Sequence, residues 1–123
     1  MAAKLGLVLD CADPDRLAEF WSAAIGYATL GGAGSYVMLV DEAGQLPKLL
    51  LQRVSEPKTA KNRMHFDIET PDVLAEAARL ERIGARRVED PRTEHGTTWV
   101  VMHDPEGNEF CVCDGGAGSA GSA

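Results

Sequence analysis

One histidine, His65, stands two residues before Asp67, and on an extended strand residues two apart point to the same side, about 7 Å apart at their α-carbons. A carboxylate at that spacing can hold the proton of one ring nitrogen and leave the imidazole oriented as a general base. Asp10 is the rival carboxylate, because the segment around it resembles the segment around Asp67 and would face His65 if the two strands adjoin. His65, Asp67 and Asp10 are therefore the catalytic candidates. Cys111 and Cys113 are also two apart; a thiolate beside His65 would be a nucleophile, while a buried inert thiol is the simpler reading. Arg53, Lys58, Lys61 and Arg63 could steer an anion, although pairing with acids such as Glu56 is simpler. His95 and His103 stand beside the turn residues Gly96 and Asp104 and read as solvated. Trp99 and Tyr36 are the aromatic residues with a claim to touch a ligand.

These residues need elements to position them. Residues 4–11 form a short apolar run, after which Asp13 caps a helix opened by Pro14; Leu17, Phe20, Trp21, Ala24 and Ile25 mark its apolar face and Gly26 its end. Strands follow at 27–30, 36–40 and 48–53, and residues 54–62 read as an exposed connection. The pattern then restarts with a strand at 63–69. Thr70 is placed to cap and Pro71 to open a second helix, with Val73, Leu74, Ala77, Leu80 and Ile83 on its apolar face and Gly84 at its end. Strands at 86–89, 97–103 and 109–113 complete the half, with residues 104–108 as the last turn.

Sliding residues 7–19 onto 64–76 matches Asp10 with Asp67, Pro14 with Pro71, Asp15 with Asp72, Leu17 with Leu74, Ala18 with Ala75 and Glu19 with Glu76. Six identities in thirteen positions, against about one by chance, imply an internal duplication: two βαβββ modules, 4–53 and 63–114, within one α+β domain spanning 1–114. Residues 115–123 hold only Gly, Ala and Ser and read as a flexible tail.

Nineteen acidic against twelve basic residues give a net charge of -7, which repels nucleic acid and draws cations at long range. The longest apolar runs, such as Leu49 to Leu51, are far below the roughly 20 residues a membrane span requires, and no signal peptide is visible, so a cytoplasmic protein is expected. Three cysteines without CxxC spacing do not suggest a disulfide scaffold, structural zinc or a redox pair.

The paired modules, the phrase DPDRLAEFWSAAIG at 13–26 and the phrase DPEGNEF at 104–110 resemble the vicinal oxygen chelate superfamily, which includes glyoxalase I, bleomycin-resistance proteins and extradiol dioxygenases; residues 52–67 look like its glyoxalase-like branch common in actinobacteria. The resemblance covers residues 4–114 and implies two half-open cups enclosing a ligand, in a chain that pairs as a homodimer. Metal-using relatives take His or Gln from the first strand, Glu from the fourth, His from the fifth and Glu from the eighth. Carried over, those positions hold Gly6 or Val8, Gln52 or Leu50, His65 and Cys111, so only His65 matches outright.

The expected ligand-binding residues are accordingly Gln52, His65, Trp99, Cys111 and Tyr36, with no cofactor; a divalent metal, if one is held, would take His65 and Gln52. The expected function is metal-free binding of a small organic molecule, a drug or metabolite, as in the bleomycin-resistance relatives. The alternative is a glyoxalase-type lyase or isomerase with His65 as base or metal ligand, and a third possibility is a dimerisation module with a filled cup.

Overall fold

The structure, a computed structural model, describes residues 2–115; the Gly/Ala/Ser tail expected from the sequence lies, from residue 116 onward, outside the described residues. The fold is α+β, with one helix against each of two mixed sheets. Two compact units divide at residues 58 and 59. Among the described residues no helix is long and apolar enough to cross a membrane.

In the first unit β1 (Gly6–Cys11), β2 (Ala28–Ala33), β3 (Tyr36–Val40) and β4 (Lys48–Arg53) form a sheet in the order β1-β4-β3-β2. The first and last strands pair in parallel, Asp10 opposite Gln52, and β4 pairs antiparallel with β3. Helix α1 (Pro14–Ile25) covers one face. Asp13 accepts a hydrogen bond from the Arg16 backbone N–H at 3.2 Å, Pro14 needs no donor in the first turn, and Gly26 at φ 72° supplies the left-handed cap. Leu17, Ala18, Phe20, Trp21 and Ala24 are buried with Val37, Leu39, Leu49 and Leu51 of β3 and β4. The Phe20 and Trp21 rings meet edge to face at 5.0 Å.

In the second unit β5 (Asp67–Glu69), β6 (Arg86–Arg87), β7 (Arg92–Glu94), β8 (Thr97–His103) and β9 (Glu109–Cys113) repeat the same plan: β5 pairs in parallel with the last strand, β9, which pairs antiparallel with β8. Helix α2 (Val73–Arg82) buries Val73, Ala77 and Leu80. Val100, Met102, Phe110 and Val112 alternate with Trp99, Val101, Cys111 and Cys113, and all eight are buried, so both faces of β8 and β9 are covered.

Four sequence expectations change. The second helix is capped by Asp72, whose carboxylate accepts the Ala75 N–H at 3.1 Å, and not by Thr70; Pro71 lies before the helix. The two caps have nearly the same backbone angles, so the helices align Asp13 with Asp72, Pro14 with Val73, Ala18 with Ala77 and Trp21 with Leu80, two residues out of the register that relates the strands. Leu74, expected in the core, is consequently 54% exposed.

The strand expected at 63–69 contracts to Asp67–Glu69, which leaves His65 just outside it. Pairing with β9 runs one step beyond it, the Cys111 N–H donating to the Phe66 carbonyl at 2.9 Å, and stops short of His65. The strand expected at 86–89 is broken: pairing with β8 passes from Arg87 opposite Met102 to Arg92 opposite Trp99, leaving residues 88–91 against 100 and 101. Val88 still donates its N–H to the Val101 carbonyl at 3.0 Å, but Pro91 has no N–H to give, and the chain bulges before re-entering the sheet as the unanticipated β7.

Candidate functional site

The bulge opens a cavity of about 380 Å³ in the second unit. Trp99 and Val101 of β8 and Val88 of the bulge are its apolar walls. Trp99 (6% exposed) and Val101 share one face of β8 with His103, because alternate residues of a strand point the same way. His103 pairs across the sheet with Glu109, so the cavity runs along β8 from Trp99 to a polar end formed by His103, Glu109 and Lys61.

The turn at residues 104–108 fixes that end. The buried Asp104 carboxylate accepts the N–H groups of Glu106 and Asn108, each at 2.9 Å, and the Asn108 side-chain amide at 2.9 and 3.2 Å. Gly107 takes the left-handed conformation at φ 84°. The side chains of His103 and Glu109 thereby emerge side by side, with Nε2 3.6 Å from Oε2. Glu109 is anchored on its other oxygen by the Asn62 backbone N–H at 2.7 Å. At the bulge, Glu89 and Arg92 satisfy each other, Nε to Oε1 at 3.1 Å and a terminal guanidinium nitrogen to Oε2 at 3.1 Å.

The sequence reading missed His103, Glu109 and Glu89, and treated His103 as solvated; the structure half-buries it in the cavity wall. The signal was available in register. Residues 103 and 109 flank a five-residue turn and must face one another across an antiparallel pair.

The expected catalytic residues are shared between the two units. His65 Nε2 lies 3.5 Å from Asp67 Oδ1, and Asp67 stands opposite Cys111 in the β5–β9 ladder. One donor atom each from His65, Asp67 and Cys111 lies within 4.8 Å of the others. The Asp67 carboxyl is held above the usual carboxylate range, chiefly by burial; His65 pulls it down and Glu69 pushes it further up. Asp10 belongs to the first unit, in the row Asp10–Gln52–Tyr36 across its sheet, all three exposed. Strands β1 and β5 belong to different sheets, and within its own unit the carboxylate beside His65 is Asp67.

The metal ligands expected from the resemblance, His65 and Gln52, belong to different units. Gln52 belongs to that exposed row, and Gly6 and Val8 carry no donor side chain. The group that fits a divalent cation is His65, Asp67 and Cys111: an imidazole, a carboxylate and a thiol close enough to share one ion, a mixed N/O/S set suited to a borderline metal such as zinc. Cys111 is fully buried and is a spent core residue in the absence of an ion, packed with Trp99, Val101 and Cys113. Arg53, one of the cations considered for steering an anion, donates to the carbonyls of Gly34 and Ala12 at 3.2 and 2.8 Å and so ties loops together.

Comparison with known proteins agrees with this topology. A glyoxalase-like domain family model matches residues 6–113. A glyoxalase/bleomycin resistance protein/dioxygenase family enzyme from Burkholderia phytofirmans superposes with a TM-score of 0.73 at 19% identity, covering 90% of this chain and 98% of that one. A lactoylglutathione lyase from Agrobacterium tumefaciens gives 0.67 at 21% identity (94% and 95% covered), and a hypothetical protein from S. aureus gives 0.72 at 15% identity (92% and 94% covered). No curated protein matches the sequence. At these identities the solved structures bear on the fold alone. With the family model spanning nearly every described residue over the same doubled architecture, the chain belongs to the glyoxalase-like domain family of the vicinal oxygen chelate superfamily.

Proposed function

We propose that the protein binds a small organic molecule, a drug or metabolite, in the cavity beside the 88–91 bulge, without a catalytic metal, and does so as a cytoplasmic homodimer. The observation that carries this reading is the cavity itself: about 380 Å³ lies within the range of ligand pockets, with an apolar wall for burial and a few polar groups at its ends for orientation. The polar groups are placed by secondary structure and by a hydrogen-bonded turn, so the site is formed before any ligand arrives and little ordering cost opposes binding. The experiment is extraction of the protein purified from its host, identification of co-purifying small molecules by mass spectrometry, and calorimetric titration of each. Trp99→Ala, which removes the largest apolar wall, is expected to weaken binding about tenfold or more. Unchanged affinity in Trp99→Ala, or no compound that raises the melting temperature, refutes the reading. A sedimentation profile at the mass of one chain refutes the homodimer.

A second reading, a glyoxalase-type lyase or isomerase, is favoured by the His65–Asp67–Cys111 group and by the lactoylglutathione lyase among the structural neighbours. A divalent cation bound there would polarise a substrate carbonyl. In this reading His65 is a cation ligand or, held by Asp67 at 3.5 Å, a base able to move a proton. Turnover of methylglyoxal with glutathione that requires stoichiometric zinc or nickel and is lost in His65→Ala would establish it; inactivity across divalent metals would remove it.

A further inference from the structure

Resting on the cavity reading, we propose that the ligand is a flat apolar molecule ending in an acidic oxygen, a carboxylate or its phenolic or enolic equivalent, and that His103 and Lys61 receive that oxygen. The dimensions come from β8. Trp99 and His103 are four residues apart on one face, about 13 Å at the strand rise, which suits a biaryl body lying along the wall with its head group at the imidazole.

The sign of the head group follows from what each charged side chain already does. Glu89 and Arg92 neutralise each other at the bulge end through two contacts of 3.1 Å. At the far end the cavity is lined by one carboxylate, Glu109, and two nitrogen side chains, Lys61 and His103. One oxygen of Glu109 is taken by the Asn62 N–H at 2.7 Å, and this bond also fixes the backbone of Lys61, the preceding residue, at that end. The His103 ring makes no hydrogen bond to any described residue: Glu109 Oε2 is 3.6 Å away, beyond hydrogen-bond length, and Arg86 stands opposite His103 on β6. A half-buried imidazole in a cavity wall with its hydrogen-bonding capacity unspent is a receptor for a ligand oxygen, as acceptor from an O–H or as donor to an oxyanion. An amine head group would instead compete with Lys61 and His103 for a carboxylate already bonded to backbone.

This local preference runs opposite to the net charge of -7, which favours cations at long range. The two act at different distances. Exposed charges are screened beyond about 8 Å at physiological salt, while groups within the cavity act at contact.

The test titrates the full chain with two matched probes, biphenyl-4-carboxylate and 4-phenylbenzylamine, following tryptophan emission, with Trp99→Phe identifying the part of the signal that comes from the cavity. The carboxylate is expected to bind about tenfold tighter than the amine. His103→Asn is expected to abolish that preference, and Lys61→Gln, at an exposed position where folding is not at risk, to reduce it about threefold. Equal affinities, tighter amine binding, or a preference unmoved by Lys61→Gln and His103→Asn overturns the inference while leaving the cavity as a binding site. Failure of both probes to change the Trp99 signal overturns the inference and the cavity reading together.

Discussion

Asp104 holds the polar end of the cavity in place, and its removal has a calculable cost. The side chain is 2% exposed and accepts from the Glu106 N–H, the Asn108 N–H and the Asn108 amide. Asn108 is itself only 7% exposed, so Asp104→Ala strands two of these donors away from water, whereas the half-exposed Glu106 N–H can turn to solvent. A buried donor left without a partner costs about 1–3 kcal/mol, and a hydrogen bond to a charged acceptor is among the stronger ones, so the expected loss is about 3–5 kcal/mol. For a domain of this size that corresponds to a fall in melting temperature of about 12–20 °C. Asp104→Asn keeps an oxygen for the two backbone donors but sets an NH2 in place of the oxygen that accepts the Asn108 amide at 2.9 Å, so it should cost about 1–2 kcal/mol. Urea denaturation followed by circular dichroism and tryptophan emission measures both. A loss below about 1 kcal/mol for Asp104→Ala, or equal losses for the two variants, would show that the turn does not depend on this carboxylate. Because the turn connects His103 to Glu109, Asp104→Asn should also weaken ligand binding more than it weakens the fold.

Helix α2 offers a direct comparison: Leu80→Ala should cost about 2–5 kcal/mol and Leu74→Ala less than about 0.5 kcal/mol, and similar losses in chemical denaturation would place the helix in the wrong rotation. On the same helix Arg79 holds the Glu76 carboxyl below its ordinary range, with hydrogen bonds of 2.7 and 2.9 Å. A lowered folded-state pKa means that this contribution is present above the unfolded value and lost as pH falls through the folded one. Glu76→Gln should therefore cost about 0.5 kcal/mol at pH 7 and converge with the parent protein in strong acid; a difference that persists at low pH would assign the effect to packing instead.

The strand-helix-strand grammar was legible because it is local. Asp13 and Pro14 announce α1, Gly26 ends it, and the spacing of Leu17, Phe20, Trp21 and Ala24 picks out its buried face. The repeat was visible too, but a two-residue shift between strand and helix hid inside six identities, since Leu-Ala-Glu occurs in both helices at positions that are not spatially equivalent. Capping chemistry decided the matter: an Asp side chain reaching the N–H three residues on recurs in both units, and only Asp72 does so in the second. The cavity was less legible because it arises from a failure of pairing. Pro91 signalled a break, yet the amount of chain diverted, residues 88–91, depends on where β8 offers its next free carbonyls, and that is a property of the partner strand. His65 and Asp67 were found from spacing, whereas His103 and Glu109 required knowing which residues face each other across a turn.

In each unit the sheet is completed by a strand that is both the last to be synthesised and an interior one, bonded in parallel to the first. Until that strand arrives, its two future neighbours have nothing between them, and the closure it makes spans some forty residues, from Asp10 to Gln52 in one unit and from Asp67 to Cys111 in the other. Such distant pairings delay folding, because chain entropy must be given up before any bond rewards it. A growing polypeptide of this design passes through an interval in which helix and outer strands exist with an open seam, and a chaperone that shields apolar strand faces would find its work there.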